Sequence, residues 1–259
     1  MAFVEYSQKI VVEGWIENGQ PAQVLLSRSA SFSHEMDTAS LLQQVIKSAK
    51  VSVCDGERTE FLILGADYNY LPPYVYYGEE LKGEPGKSYF LQIEYDGKIL
   101  SAETHIPQPA TLDSCWFEKT QPSDTLGSIY VRFQNVPDSY YQIATRVVPE
   151  ETVFTPCLFA NFPSARFGKD ETVTMKLNKC PVLFPEQDFE TAFKTDKQVQ
   201  IKFRTQTKES CDFWTTWQNE ILNAQNPVFP ANSNLKSNIR GGIGVWCGYG
   251  TYKVTIQTR

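Results

Sequence analysis

Apolar and polar residues alternate along most of this chain, and the alternation predicts short β-strands separated by turns. The early segments KIVVEGWI and AQVLLS flank Asn18-Gly19, a dipeptide typical of β-hairpin turns. Similar segments recur at short intervals, divided by Pro, Gly, Asn and Asp, which is typical of β-sandwiches. The predicted strands are 9–16, 22–27, 49–54, 59–64, 88–95, 98–104, 115–119, 128–134, 140–148, 152–160, 171–177, 197–206 and 242–258.

Helical periodicity is restricted to two segments, 37–47 and 211–224. The second carries one apolar stripe at a 3.6-residue period, formed by Phe213, Trp214, Trp217, Ile221 and Leu222. Ser210 is the predicted N-cap of this helix. The Asn- and Pro-rich text that follows predicts a long loop over 225–241. Glycines in 242–258 indicate a bulge or a close backbone approach, so this segment is predicted to be one bulged strand or two consecutive strands.

Two further segments, one rich in tyrosine and one rich in proline, separate the predicted strands. Residues 65–86 contain two adjacent prolines, so we predict a long connection there rather than a central strand. Ile106-Pro107-Gln108-Pro109 interrupts the strand pattern. We therefore predict an all-β fold with two β-sandwich domains, 1–108 and 109–259. The short helix 211–224 and the loop 225–241 are inserted near the C-terminus of the second.

Bulk properties argue against several classes of protein. The net charge is −6 and no block of Lys or Arg occurs, so a nucleic-acid partner is not expected. Hydrophobic residues make up 41% of the chain, enough for a packed core, but no apolar run predicts a transmembrane helix. The start lacks the features of a signal peptide. Two explanations stay open: a cytosolic protein, or a chain whose leader has been removed.

The six cysteines and two histidines do not predict a metal site, because no CxxC or comparable ligand spacing occurs. Each cysteine is interpreted either as a small buried apolar residue or as half of a disulfide. The first disulfide candidates are Cys157 with Cys180 and Cys211 with Cys247. No P-loop, GxGxxG or EF-hand motif is present, so no cofactor is expected.

The candidate catalytic residues do not lie in recognised catalytic motifs. His34 and His105 are not part of a nucleophile motif such as GxSxG. Neighbouring carboxylates resemble the pairs that hydrolyse glycosides, but all lie in polar, turn-like text: Glu79-Glu80, Glu150-Glu151, and Glu186 with Asp188 and Glu190. We therefore predict no catalytic residue and a non-enzymatic protein. An enzyme acting on glycans or peptides is the alternative.

Two segments are candidate ligand-binding surfaces. Aromatic rings with a polar tip suit sugar or protein recognition, and the first segment supplies Tyr68, Tyr70, Tyr74, Tyr76 and Tyr77. The alternative is that these rings cover a sandwich edge. The second segment is the long polar loop, with Asn232, Asn234, Asn238 and Arg240. The alternative for that loop is a structural plug over the end of a sandwich.

Three stretches of text together resemble one known family: KIVVEGWIENG, SAETHIPQP and DFWTTWQ…NPVFP…SNIRGGIGVWCGYG. They resemble the Bacteroidota lipoproteins grouped as domain-of-unknown-function family 4249, over about residues 9–250. GEPGKSYFLQIEYDGKILSAET also resembles transthyretin-like (prealbumin-like) sandwiches. The second half is similar in strand count to a fibronectin-type sandwich.

The family resemblance implies a leader that ends in a lipidated cysteine and is absent from this chain. The expected location is therefore the outer membrane, on its periplasmic or cell-surface side. Family members are often encoded beside TonB-dependent transporters, which implies accessory binding or scaffolding for such a transporter or another envelope protein. A structural or adhesive envelope subunit is a further alternative. The family supplies no catalytic residues.

Overall fold

The computed structural model describes residues 8–29, 38–70, 72–122, 124–180, 190–224 and 235–259. The chain divides into two compact units. Unit 1 contains Met1–Ile106 and Thr216–Gly248, and unit 2 contains Pro107–Thr215 and Tyr249–Arg259. The first division lies close to the predicted boundary at 108. The prediction of one domain over 109–259 differs from the structure, because 216–248 belong to unit 1.

The first 106 residues of unit 1 form eight strands and one short helix among the described residues. Their bounds are β1 Ile10–Glu17, β2 Pro21–Arg28, α1 Thr38–Gln44, β3 Lys50–Cys54, β4 Thr59–Phe61, β5 Ile63–Ala66, β6 Tyr74–Lys82, β7 Ser88–Tyr95 and β8 Lys98–His105. Helix α1 is shorter than the predicted 37–47. It ends early because Val45 forms a β-bridge with Ser27 and the Ile46 N–H donates to the Leu26 carbonyl.

The remaining elements follow in the second part of the chain. Their bounds are β9 Ser114–Lys119, β10 Leu126–Gln134, β11 Tyr140–Val148, β12 Thr155–Pro163, a 3-10 turn Ser164–Arg166, β13 Thr172–Leu177, β14 Phe193–Lys194, β15 Gln198–Gln206, α2 Lys208–Ala224 and β16 Ile243–Gln257. The division between the units falls within α2 and within β16. The predicted all-β class is confirmed, because strands predominate, the sheets are several and the helices are few.

Unit 1 has two sheets that share one apolar core. The first has the order β1-β2-β6-β5, with β16 beside β1, and the second has the order β4-β3-β7-β8. Alternate residues of both sheets are buried against each other, as a sandwich requires. The core includes Val12, Val24, Tyr76, Val53, Leu91, Leu100 and Trp246.

Strand β6 corrects the prediction of a long connection over 65–86. It occupies Tyr74–Lys82 and lies between β2 and β5 in the sheet. The prolines Pro72 and Pro73 precede the strand, so they remove no hydrogen bond from it. The predicted strand 59–64 also differs, because it is divided at Leu62. Its two parts, β4 and β5, belong to different sheets.

Unit 2 has the same two-sheet construction. One sheet contains β12-β11-β15 with β16 beside β15, and the other contains β13-β10-β14 with β9 beside β10. Their facing residues form a second core, which includes Ile129, Val131, Phe133, Ile143, Ile201 and Phe203. Phe133 lies at the centre of an aromatic group, with ring centroids 4.8 Å from Phe203 and 5.3 Å from Tyr141.

Helix α2 begins earlier than the predicted 211. Thr207 supplies the N-cap, because its Oγ1 accepts a hydrogen bond from the Ser210 N–H at 3.3 Å. Ser210, the predicted cap, lies inside the helix and is fully buried. Within unit 2, the Trp214 Nε1 donates to the Tyr249 hydroxyl at 2.8 Å. No helix in the described part of the chain has the length and apolar content of a membrane span.

Candidate binding groove

A groove on unit 1 lies where the chain passes from one sheet to the other. We call it the β5–β6 groove, and its volume is about 530 Å³. Its lining comes from the residue before β4, from β4 and β5, and from β6. The lining residues are Arg58, Thr59, Glu60, Phe61, Ile63, Tyr77, Glu79, Glu80 and Leu81.

The Glu60 carboxylate fixes the shape of this groove. It accepts hydrogen bonds from three consecutive backbone N–H groups, those of Glu79, Glu80 and Leu81, at 2.6, 2.9 and 2.9 Å. These donors are turned away from regular pairing because the register between β2 and β6 shifts at this point. Glu60 therefore satisfies the irregular backbone of β6 and ties β4 to it.

Two opposing effects act on the pKa of Glu60. Burial raises this pKa, while the backbone hydrogen bonds from Glu80, Glu79 and Leu81 lower it. The net result is a pKa below the ordinary value of 4.5, so the ionised carboxylate is the form that the fold stabilises. Glu60 is accordingly a structural carboxylate in the lining of the groove.

We expect Glu60→Gln to lower the free energy of unfolding by about 1 kcal/mol at neutral pH, since an amide is a weaker acceptor than a carboxylate. Because folding lowers the pKa of Glu60, its contribution is fully present above pH 4.5 and is lost as the pH falls through the folded-state value. Urea unfolding of both proteins at neutral and acid pH measures the difference, which should shrink in acid. Glu103→Gln, at an exposed position of β8, is the matched control. An equal loss in this control would contradict the role of Glu60.

Three apolar side chains of the groove are open to solvent. Phe61 is 56% exposed, Ile63 is 53% exposed and Tyr77 is 37% exposed. Ile63 and Tyr77 are direct cross-strand partners, so their side chains share one face of the sheet. The Tyr77 ring lies over Gly65, where an added Cβ would be 2.5 Å from its Cε1 atom. Glycine at position 65 thus leaves room for this orientation of the ring.

Charged groups complete the lining of the groove. Glu79 and Glu80 are exposed, and only their backbone N–H groups are used by Glu60. Arg58 also lines the groove, and its guanidinium is 3.8 Å from the Asp55 carboxylate. The arrangement combines an apolar surface with exposed carboxylates. It is chemically suited to hold a ligand that carries both apolar and cationic groups.

The chain matches the model of a known protein family over nearly its whole length. The family model described as Domain of unknown function (DUF4249) matches residues 2–255. The chain belongs to the DUF4249 family. This confirms the resemblance to domain-of-unknown-function family 4249. No curated protein matches the chain.

The predicted tyrosine surface of this DUF4249 protein is dispersed in the structure, and only Tyr77 of the five lines the β5–β6 groove. Tyr76 belongs to the core: its hydroxyl donates to the Ile46 carbonyl at 3.0 Å and accepts from the Ala49 N–H at 3.1 Å. Tyr76 is therefore a structural residue, as its pKa, raised by burial, also indicates.

The other three tyrosines have separate surroundings. Tyr68 is 88% exposed. The Tyr70 ring centroid is 6.0 Å from that of Trp15, and its hydroxyl donates to Gln23 at 3.5 Å. The ammonium group of Lys47 lies 3.8 Å from the Tyr74 ring centroid. These residues are part of, or close to, the same sheet, but they do not line the groove.

The predicted polar loop of the DUF4249 protein is described only in part. Asn232 and Asn234 lie outside the described residues. Asn238 is structural, because its side chain donates to the Trp246 carbonyl at 2.8 Å and accepts from the Trp246 N–H at 2.9 Å. Arg240 exchanges two backbone hydrogen bonds with Ser101, at 2.8 and 3.2 Å, and its side chain is exposed.

All six cysteines lie in the described ranges, and none is part of a disulfide. Neither predicted pair, Cys157–Cys180 or Cys211–Cys247, is therefore bridged in the structure. Burial raises the pKa of Cys157 to about 12 and that of Cys211 to about 11. Cys157 lies 3.6 Å from the Thr145 hydroxyl, and Cys211 accepts from the Asn161 amide at 3.6 Å. Each of these two thiols thus has a polar side-chain partner and is not bridged to its predicted partner, Cys180 or Cys247.

The remaining chemical candidates do not converge within the described chain. No group of three or more His, Cys, Asp or Glu residues there could hold a metal ion. Glu151 forms an ion pair with Lys179 at 2.9 Å and accepts from the Val147 N–H, which indicates a structural role. His34, Glu186 and Asp188 lie outside the described residues.

Sequence reasoning missed most of the groove. Glu60, Phe61 and Ile63 were assigned to one continuous strand, which hides the change of sheet at Leu62. The available signal was Gly78, since a glycine inside an apolar strand often marks a bulge or a close approach. An added Cβ at Gly78 would indeed be 2.8 Å from the Glu60 carboxylate.

Proposed function

We propose that this DUF4249 protein is a non-enzymatic binding protein whose β5–β6 groove receives an extended segment of a partner protein. The observation that carries the proposal is the exposure of Phe61, Ile63 and Tyr77 within one groove. Single exposed apolar residues are ordinary on protein surfaces. A cluster of them with a polar rim is typical of interaction sites.

The position of β5 supports an extended partner. It is the end strand of its sheet in the described chain, and Ile63–Ala66 pairs on one side only, with β6. The other side of an end strand offers backbone N–H and C=O groups to an added strand. An extended segment can pair there and place alternate side chains into the groove. Phe61 and Tyr77 would contact its apolar residues.

The charges of the groove support a basic segment. Three of the lining residues are glutamates, and Arg58 is the one cation among the lining residues. Glu60 is held by backbone groups, which leaves Glu79 and Glu80 to attract Lys or Arg side chains of the partner. Complementary charge of this kind favours encounter and register more than total affinity.

The family resemblance supports the cellular part of the proposal. We propose that the protein is an outer-membrane-associated lipoprotein that serves as an accessory binding or scaffolding protein for a TonB-dependent transporter or another envelope protein. The groove then supplies the contact surface for that partner.

We expect Ile63→Lys to reduce binding of the envelope partner at least about tenfold, because it places a buried charge in the apolar contact. The measurement is affinity purification from native envelopes with the full protein as bait, followed by quantitative mass spectrometry. Ile99→Lys is the matched control, since Ile99 is an exposed isoleucine of β8 in the same unit. Both variants should keep the wild-type unfolding midpoint.

Recovery of a TonB-dependent transporter in near-equal amount, lost with Ile63→Lys and kept with Ile99→Lys, supports both parts of the proposal. A partner that is lost equally with both variants excludes the groove as the contact surface. Recovery of no transporter with the wild-type bait excludes the accessory role.

A second candidate function is favoured by one observation, namely that Glu79 and Glu80 line the same groove. An enzyme acting on glycans or peptides would use such carboxylates as acid and base. Hydrolysis assays on glycan and peptide libraries with the wild-type protein and Glu80→Gln separate this candidate from a binding protein. Turnover that Glu80→Gln abolishes would replace the binding proposal.

A further inference from the structure

Three cations surround one aromatic ring on the surface of unit 2. The Phe154 ring centroid is 4.7 Å from the Arg146 guanidinium, 4.6 Å from the Lys202 ammonium and 5.6 Å from the Lys253 ammonium. We call these four residues the Phe154 cluster. Each contact is a cation–π interaction that contributes modestly at a partly exposed site. The cluster lies on unit 2 and is independent of the β5–β6 groove on unit 1.

The cations are placed side by side by the strand register. Lys202 of β15 is the direct cross-strand partner of Lys253 of β16. Arg146 of β11 is paired with Gln200, which is two residues before Lys202 on β15. Like charges directly opposite each other in a sheet are destabilising. In a chain with net charge −6, this concentration of positive charge is a local exception.

The guanidinium of Arg146 is held in a fixed orientation. It donates from Nη1 to the Thr152 carbonyl at 2.8 Å and from Nη2 to the Gln200 side chain at 2.5 Å. Its Nε atom is buried and has no hydrogen-bond partner among the described residues. One buried donor of a fixed cation is therefore unused.

Acidic residues close in sequence are engaged with other lysines. Glu150 pairs with Lys197, and Glu151 pairs with Lys179. Within the described ranges, no carboxylate lies at ion-pair distance from Arg146 or Lys253. The positive charge of these two residues is thus not balanced by the described part of the protein.

We propose that the Phe154 cluster is a binding site for a phosphate group. A phosphate group with several anionic acceptor oxygens can accept hydrogen bonds from a fixed guanidinium and an exposed ammonium together. It would also relieve the repulsion between cations on neighbouring strands. A single chloride ion offers less charge and no directional acceptors.

Two sources of phosphate fit this chemistry: a soluble phosphorylated molecule, or phosphate presented by a lipid headgroup. Isothermal titration of the full protein with inorganic pyrophosphate, against chloride at matched ionic strength, tests the first. Sedimentation with phosphatidylcholine vesicles, with and without phosphatidylglycerol, tests the second. Both use a phosphate-free buffer at low salt, since exposed charges are screened strongly at high salt.

We expect Lys253→Gln to weaken binding of the phosphate probe about fivefold, because an exposed charge pair is removed. Its unfolding midpoint without the probe should not fall, since a repulsive pair is relieved. The matched control is Lys176→Gln, which removes the same charge from an exposed position of β13 in the other sheet of unit 2.

Binding of pyrophosphate that falls with Lys253→Gln and not with Lys176→Gln supports the site and identifies a soluble source. The same dependence seen only with phosphatidylglycerol vesicles supports the site and identifies a lipid source. The proposal is overturned if neither probe binds in preference to chloride or phosphatidylcholine. It is also overturned if both variants weaken binding equally, which indicates diffuse attraction.

Discussion

Replacing Trp246 with alanine is expected to lower the free energy of unfolding by about 3–5 kcal/mol, the range for removing a large aromatic side chain from a core. Trp246 is fully buried in the core of unit 1. Its indole Nε1 donates to the Tyr89 carbonyl at 3.0 Å, which would lose its partner. Urea denaturation followed by circular dichroism measures the loss.

Trp246→Phe separates the two contributions to that loss. Phenylalanine keeps much of the buried ring but cannot donate a hydrogen bond, so a smaller loss of about 1–3 kcal/mol is expected. The order wild type, Trp246→Phe, Trp246→Ala should hold for the denaturation midpoints. A loss of unfolding free energy below about 1 kcal/mol for Trp246→Ala would contradict the role of Trp246 as a main core residue of unit 1.

The second large effect is expected at Gly244, where alanine should destabilise the protein by at least about 3 kcal/mol. Gly244 has φ +125°, a conformation that L side chains rarely adopt. An added Cβ would also lie 1.8 Å from the carbonyl oxygen of Val12 in β1. The start of β16 would therefore have to move away from β1. Urea denaturation measures the loss, and hydrogen exchange at β1 amides locates it.

Gly97→Ala is the matched control for conformation without a clash. Gly97 has φ +69°, and an added Cβ there would meet no atom within 4 Å. Its expected cost is about 1 kcal/mol, from backbone strain alone. Equal losses for the two substitutions would show that the close approach of β16 to β1 is not what requires glycine at position 244.

The elements of this fold are largely predictable because alternation is a local signal. The text YYQIATRVV alternates and forms β11 over Tyr140–Val148, and SYFLQIEY forms β7 over Ser88–Tyr95. The glycines of the last strand predict a close backbone approach, which Gly244 makes to Val12. In each case, residues near in sequence carry the information.

The groove is less predictable because its geometry depends on distant residues. The Glu60 carboxylate accepts hydrogen bonds from amides about twenty residues later in the chain, and no local sequence pattern predicts that contact. The prolines before β6 and the irregular alternation of YVYYGEELK predict an irregular connecting segment. In the structure this segment is a strand, because it pairs with neighbouring strands that are distant in sequence. Exposed Phe61 and Ile63 resemble ordinary strand residues in the sequence.

The division of the chain between units was not predictable for a similar reason. The apolar stripe on α2 predicts a helix. It does not predict whether the residues after that helix belong to the core of unit 1 or to the core of unit 2. Ile239 and Trp246 belong to the core of unit 1, although they follow all of 107–215 in the sequence. Proximity in sequence is a poor guide where a chain returns to an earlier unit.

That return sets the order in which the molecule can be assembled during translation. The ribosome must make all of 107–215 before it makes Thr216–Gly248, so the unit that starts first receives its last core residues only afterwards. Until then, its sandwich lacks the Trp246 side chain and the neighbouring strand that β16 supplies to β1. Nascent chains should therefore stay incompletely folded at their amino-terminal end for most of synthesis, contrary to the usual amino-terminal-first order.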